Sequence, residues 1–321
     1  AAEASGVRVT LPFFQMLRQA QHDEGRDVSA LLRNAIVKTE RTMEKSKTIA
    51  LVGAGGKMGC RLTDNLKNGA HDVRYLEVSD AGLERLALRG LVASQTHSAI
   101  PVADVVILAV PDVAIGAVSR EVVPLMKTGA LLMTLDPAAP LDGQLAQRED
   151  IAYFVAHPCH PSVFNWEETE AQTRDFYGGI SAKQSIVCAL MSGGESDYEL
   201  GVAVAQEMYA PIDKTHRITL EQMAVLEPAL VETLAQTCIE IVKKGYDKTV
   251  ELGVPEAAAR DFVLGHLRIQ IAVLFGEVNG TFSDAAYKIS QRAQSVLFKD
   301  GWEKIFEMDD IREQVRAITT K

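Results

Sequence analysis

The stretch from Lys47 to Gly59 constrains the fold more than any other in the chain. Five apolar or β-branched residues, Thr48 to Val52, give way at once to Gly53-Ala-Gly-Gly-Lys-Met-Gly59. Such a run reads as a buried parallel strand entering a glycine turn. Beyond the turn, Met58, Cys60, Leu62 and Leu66 keep roughly helical spacing with no proline among them, which predicts a helix. Strand, turn and helix together make a phosphate cradle. The glycines let backbone amides approach a pyrophosphate, and the helix N-terminus brings partial positive charge to it. Gly53, Gly55, Gly56, Lys57 and Met58 are therefore candidate cofactor-binding residues.

The glycine spacing departs from G-x-G-x-x-G, since counting from Gly53 puts the third glycine position on Met58, so the surrounding pattern carries the argument. Val73 to Val78 reads as the second strand and presents Glu77 18 residues after Gly59. A carboxylate there accepts hydrogen bonds from adenosine ribose hydroxyls and repels a 2'-phosphate, which favours NAD over NADP. A solvated strand-end carboxylate is the alternative for Glu77.

Further strands follow at Val102 to Val110, Ala130 to Leu135, Ile151 to Val155 and Ser185 to Leu190, with helical spacing between several of them. Strand and helix alternate, which predicts an α/β fold: a Rossmann doubly wound parallel sheet. Ligands bind such sheets outside the carboxyl ends of the strands. That rule places Val110, Pro111 and Asp112 beside the cofactor and brings Asp136-Pro137 and His157-Pro-Cys-His-Pro161 to the same edge. From Thr219 the texture changes. Thr219-Leu-Glu-Gln222 has capping-box spacing, and helices are predicted through Glu251 with breaks at Pro228 and Gly245, over Glu256 to Phe275, and over Asp284 to Phe298. The expected organisation is a Rossmann domain over residues 43–217 followed by an all-helical C-terminal domain over 218–321. Apolar stripes at Phe262, Ile269 and Val273, and at Leu230, Leu234 and Val242, call for a partner surface and suggest a homodimer.

Residues 1–42 fit none of this. The expectation is that Met43 is the natural start and that 1–42 are an extension outside the core, the alternative being a helical arm on a partner subunit. A net charge of -10 supplies no basic surface for nucleic acid or anionic membrane. No apolar run approaches the roughly 20 residues of a membrane span. Four cysteines without a C-x-x-C pattern fit a reducing cytoplasm.

Two prolines fix the backbone around His157 and His160, and an imidazole suits proton removal from an alcohol near neutral pH. Each is equally a loop histidine bonding carbonyls, and their spacing also permits metal binding. Glu227 precedes Pro228 inside a helical run, where the proline frees carbonyls near a carboxylate; a metal or proton-transfer site and a solvated glutamate at a bend are both open. His266 shares a helix face with Phe262, Ile269 and Val273, where a core role is the commoner outcome. Glu232 and Lys183 are weaker candidates, and Cys159 lacks a partner arrangement for a thiol nucleophile.

In combination, Gly-Ala-Gly-Gly-Lys-Met-Gly, Val110-Pro-Asp112, His157-Pro-Cys-His-Pro161, Phe176-Tyr-Gly-Gly-Ile180, Leu226-Glu-Pro228 and Gly265-His-Leu267 resemble the NAD-dependent D-apionate oxidoisomerases. The C-terminal half is similar to the helical domain of 6-phosphogluconate dehydrogenases. The resemblance covers about residues 47–300. It implies NAD-dependent oxidation of a small branched polyhydroxy acid at its 2-hydroxyl, followed by an α-ketol rearrangement assisted by a divalent metal. It further implies His160 or His157 as base, Glu227 as metal ligand or acid with His160 as a second candidate ligand, and His266 as a substrate contact. A plain 2- or 3-hydroxyacid dehydrogenase and a non-catalytic NAD-sensing protein are the alternatives.

Overall fold

A computed structural model describes residues 46–320. The expectation for residues 1–42 lies outside these. Strand β1 (Thr48–Val52) runs into the glycine turn and helix α1 (Lys57–Leu66); β2 (Asp72–Leu76) and α2 (Asp80–Ala87) follow. Then come β3 (Val105–Leu108), α3 (Asp112–Val122), β4 (Leu131–Thr134), the short α4 (Ala138–Leu141) and β5 (Ala152–Pro158). A long loop leads to β6 (Gln184–Ser192), α5 (Glu195–Met208) and β7 (Ile212–Arg217). The seven strands form one sheet in the order β2-β1-β3-β4-β5-β6-β7.

Strands β1, β3, β4 and β5 pair parallel in register, Ile49 with Val105, Val105 with Leu131 and Leu131 with Ala152. Their side chains alternate between two cores. Ile49, Leu51, Val105, Ile107, Leu131 and Met133 fill one, with Leu62 and Leu66 of α1 and Val204 and Met208 of α5. Ala50, Val106, Leu108 and Leu132 fill the other, with Ile115 and Val122 of α3. Burial on both faces is why these strands are near-continuous apolar runs. The expectation of a parallel sheet needs one correction: β6 pairs antiparallel with β5, Ala156 opposite Cys188, and β7 then pairs parallel with β6. An apolar run buried on both faces carries no sign of its direction, so the reversal is invisible in sequence.

The C-terminal region is helical, as expected. Helix α6 (Leu220–Ala224) opens on Thr219, whose side chain accepts from the Gln222 amide in a complete capping box. The chain then widens into π-type turns over Val225–Gln236, with Pro228 inside, before α7 (Thr237–Glu251), α8 (Glu256–Leu274) and α9 (Asp284–Leu297). A further helix, α10 (Met308–Thr319), was not expected, although Ile311 and Val315 have helical spacing. It packs Ile311 and Val315 against Ala138, Ala224 and Ala229. That small core ties the end of β4 to the π-type segment. No described helix is long and apolar enough to cross a membrane.

Candidate active site

The glycine turn is built for backbone approach. Gly53 has φ +79°, and a Cβ there would fall 2.4 Å from the Ala109 carbonyl oxygen. At Gly59 it would fall 2.0 Å from the Gly53 oxygen, and at Gly55 it would strike the Gly82 backbone. The three glycines required by packing are thus 53, 55 and 59, a spacing set by the close passage of α1 over β1 and of α2 over the turn. The Gly53 and Ala54 amides donate to the Leu76 carbonyl, joining the turn to the end of β2. Glu77 caps this junction. Its carboxylate accepts from the amides of Gly55, Val78 and Ser79 and from the Ser79 hydroxyl, at 2.8–3.0 Å. Burial alone would raise the Glu77 carboxyl, but these donors outweigh it and hold it below the usual range. The cradle lies between β1 and β3, where the strand order reverses, and Val110, Pro111 and Asp112 lead from β3 into α3 at the same crevice.

A second group forms at the carboxyl ends of β4 and β5. His157, near the end of β5, faces the Leu135 carbonyl through Nδ1 at 2.8 Å. A carbonyl can only accept, so Nδ1 carries the proton and Nε2 is the lone-pair nitrogen of the neutral ring. Nε2 lies 3.3 Å from Glu227 Oε1. Asp136, just past β4, is oriented by the Ala138 amide, which donates to its Oδ1 at 2.7 Å. One donor atom from each of Asp136, His157 and Glu227 lies within 4.8 Å of the other two. Met223 of α6, packed on Val155, Val187 and Ala189, helps to bring the following segment over the sheet edge.

The electrostatics follow from crowding carboxyls out of water. Burial, then the neighbouring Asp136 carboxylate, drives the Glu227 carboxyl far above its ordinary range. Burial, then Asp136, pushes Asp112 up to about 6. Glu232 is raised for the same reasons, burial first and then Asp136 and Asp112. Burial depresses His157, outweighing the Leu135 carbonyl and Asp136, so its ring is neutral. Glu227 Oε2 is buried with no hydrogen-bond partner. A buried orphan oxygen among an imidazole and a second carboxylate is what a divalent cation satisfies, so these three residues fit a metal.

His160 stands apart from this group. Its ring centroid is 6.5 Å from that of His157, and its Nδ1 is 2.9 Å from the Tyr177 carbonyl oxygen. The geometry therefore makes Asp136, rather than His160, the companion of Glu227 and His157. The sequence brings Asp136 to this edge without marking a role for it; its place directly after β4 and before Pro137 is the available signal. His266 lies on α8, exposed, with Nδ1 on the Phe262 carbonyl of its own helix and its ring stacked 4.0 Å from that of Phe262. It borders a cavity of about 600 Å³ between α7 and α8 with Val242, Tyr246 and Leu267. Lys183 is exposed, its amide bonded to Glu167. Cys159 is exposed as a residue, yet desolvation of its sulfur raises the thiol, the opposite of a poised thiolate.

A glycine cradle at the switch point of a mostly parallel sheet, with imidazoles and carboxyls on the same edge and a helical region beyond, defines an oxidoreductase of the Rossmann type that binds a nicotinamide dinucleotide. Two family models match the chain: the acetohydroxy acid isomeroreductase NADPH-binding domain over residues 43–162, and the phosphogluconate dehydrogenase (decarboxylating) C-terminal domain over residues 165–319. A D-apionate oxidoisomerase of Cupriavidus necator is 48% identical over 272 residues, 84% of this chain and 99% of that protein. Its counterpart in Rhizobium rhizogenes is also 48% identical, over 84% of this chain and 99% of its own. The crystal structure of a semialdehyde dehydrogenase NAD-binding protein from Cupriavidus necator, in complex with calcium and NAD, matches with a TM-score of 0.84 at 48% identity, covering 85% of this chain and all of that one. The chain belongs to the D-apionate oxidoisomerase family.

Proposed function

We propose that this chain oxidises D-apionate, or a closely similar branched polyhydroxy acid, at its 2-hydroxyl and then rearranges the carbon skeleton. The observation that carries this reading is the Asp136, His157 and Glu227 group at the strand edge that also carries the glycine cradle. NAD, when bound, supplies the hydride acceptor; Glu77 at the ribose end favours it over NADP. Lys57 and Met58 open α1, and Asp112 opens α3 beside Val110 and Pro111, so all five stand where the dinucleotide would pass.

The chain's own groups divide the work. His160, with Nδ1 hydrogen-bonded to the Tyr177 carbonyl, offers Nε2 to a substrate hydroxyl as general base; His157 is the alternative base where its Nε2 holds no cation. Oxidation leaves a 2-oxo acid beside a tertiary alcohol. Rearrangement then needs a base at that hydroxyl and an electrophile at the new carbonyl, and its migrating hydroxymethyl group makes the step redox-neutral. Asp136, His157 and Glu227 would hold a divalent cation, which would polarise that carbonyl. Calcium in the Cupriavidus necator structure supports a cation in this family without fixing which one serves here. His266 is carried into the proposal as a substrate contact.

The division into residues 43–217 for the cofactor and 218–321 for substrate and association belongs to the same proposal, as does a cytoplasmic location without nucleic-acid or membrane partners. So does a homodimer. Helices α7 and α9 bury none of their residues, and α8 buries only Ala259 and Ala272, while Phe262, Leu274, Phe275 and Val296 are each more than two-thirds exposed. A long helical hairpin with so much bare apolar surface calls for a second copy. Initial rates of NAD reduction with D-apionate and with an unbranched 2-hydroxy acid test the substrate class. Equal rates on both would return the chain to a plain hydroxyacid dehydrogenase.

A further inference from the structure

His160 is the only described non-glycine residue with positive φ, at 59°. That conformation is unfavourable for an ordinary side chain and persists only where surrounding structure enforces it. The enforcing structure is the turn from Asp175 to Ala182. Asp175 is 9% exposed, and its Oδ2 accepts three consecutive backbone amides, from Ile180, Ser181 and Ala182, at 3.1, 2.9 and 3.1 Å. Its own carbonyl accepts from the Gly178 amide, and Gly178 and Gly179 both have positive φ. The turn is thus wound around one buried carboxylate. It aims the Tyr177 carbonyl at His160 Nδ1 at 2.9 Å, and the Tyr177 ring stands edge-on to the imidazole. From the other side, the Arg61 guanidinium of α1 covers the Tyr177 ring at 4.1 Å from its centroid.

We propose that Asp175 is a positioning residue: by winding the 175–182 turn it fixes the Tyr177 carbonyl on His160 Nδ1 and so holds the imidazole as the tautomer whose lone pair sits on Nε2. Arg61 anchors the turn to the helix that opens at the glycine cradle, so the base and the cofactor site share one rigid support. Leu135 does for His157 what Tyr177 does for His160, and both rings present Nε2. The inference deepens the reading of His160 as a reacting group and rests on it.

The test compares Asp175→Asn with Asp175→Ala by histidine ¹⁵N NMR and by kcat and KM, in the full chain with NAD. Asparagine keeps an acceptor oxygen for the three amides; alanine removes it. The expected result is a His160 resonance in the Nε2 lone-pair tautomer for the wild type and Asp175→Asn, and tautomer mixing in Asp175→Ala. The kcat of the alanine variant falls by about 100-fold, the scale expected for a displaced reacting group, with NAD affinity unchanged. Retained NAD affinity shows that the alanine variant is folded. Should that variant be unfolded, Asp175→Glu, whose extra methylene displaces the carboxylate from the Ile180, Ser181 and Ala182 amides, is read by the same NMR signal with the same tautomer mixing expected. An unaltered His160 tautomer in the folded alanine or glutamate variant overturns the proposal. A changed tautomer with full turnover overturns instead the role of His160 on which it rests, and full turnover in His160→Ala does so independently.

Discussion

His157 Nε2 lies 3.3 Å from Glu227 Oε1 while its Nδ1 is committed to the Leu135 carbonyl, so the imidazole meets the acid with its lone pair. At neutral pH the pair is then a neutral histidine against a protonated glutamic acid. Burial drives both groups toward their uncharged forms. Glu227→Gln keeps an uncharged donor at the same place. Its melting temperature should equal or exceed that of the wild type, whereas turnover should fall by at least about 100-fold through loss of an ionisable ligand and acid. Thermal unfolding and steady-state kinetics on one preparation separate the two effects.

A divalent cation placed among Asp136, His157 and Glu227 must displace the Glu227 proton. Magnesium, manganese or calcium should therefore bind more tightly as pH rises, with protons released to the buffer. At 100 times Kd the bound ion should add about 2.7 kcal/mol of stability. Asp136→Asn should weaken binding by at least about 10-fold, on the scale by which even outer-shell partners act. Calorimetric titration in two buffers of different ionisation enthalpy reads both affinity and proton count.

Asp112 gives a pH dependence of stability with an unusual sign. Its pKa of about 6 in the fold lies above its ordinary 3.8. A raised pKa means that the folded state holds the proton more tightly, so this contribution is present in full below about pH 4 and lost as pH rises through 6. Asp112→Asn should leave stability unchanged at pH 4 and raise it by about 1 kcal/mol at pH 8, a value reduced for the partial exposure of the side chain. Denaturant unfolding at the two pH values measures the difference.

Gly59→Ala should be among the most damaging single changes, because its Cβ would meet the Gly53 oxygen at 2.0 Å. Soluble yield and melting temperature report it, with a loss on the order of 3 kcal/mol or more. Glu77→Gln should act differently. Its carboxylate faces the Gly55 amide and would repel a 2'-phosphate, so the variant should keep its fold while losing discrimination between NAD and NADP, as fluorescence titration with each would show.

The exposed face of α8 predicts association. Light scattering should give a mass of twice the 34.9 kDa of one chain, and Phe262→Asp should shift it toward one. A monomer in the wild type at micromolar concentration would require another partner for these helices.

What was legible in the sequence was what short-range periodicity records. Thr48 to Val52 and the run through Val105 to Leu108 could hardly be anything but buried strands, and Thr219 with Gln222 announced a helix start that the structure completes as a capping box. The direction of β6 was not legible, because Ile186 to Leu190 is as apolar running one way as the other. The companion of Glu227 was not legible either. Asp136 lies 91 positions earlier and reaches it because Ala138, Ala224, Ala229, Ile311 and Val315 share one small core. Pro228 signalled a disturbance in its helix but not that the disturbance would be a π-type widening. Nor does His-Pro-Cys-His-Pro reveal that only its first histidine joins the carboxyls; that depends on a turn wound around Asp175, 15 residues beyond His160.

The most direct test of the central claim is anaerobic incubation with NAD and D-apionate, with and without EDTA, following NADH by absorbance and the product skeleton by carbon NMR. NADH should appear together with a rearranged skeleton, and EDTA should abolish the rearrangement until divalent cation is added back. NADH with an unrearranged oxidation product under all conditions, or no NADH at all, would contradict it.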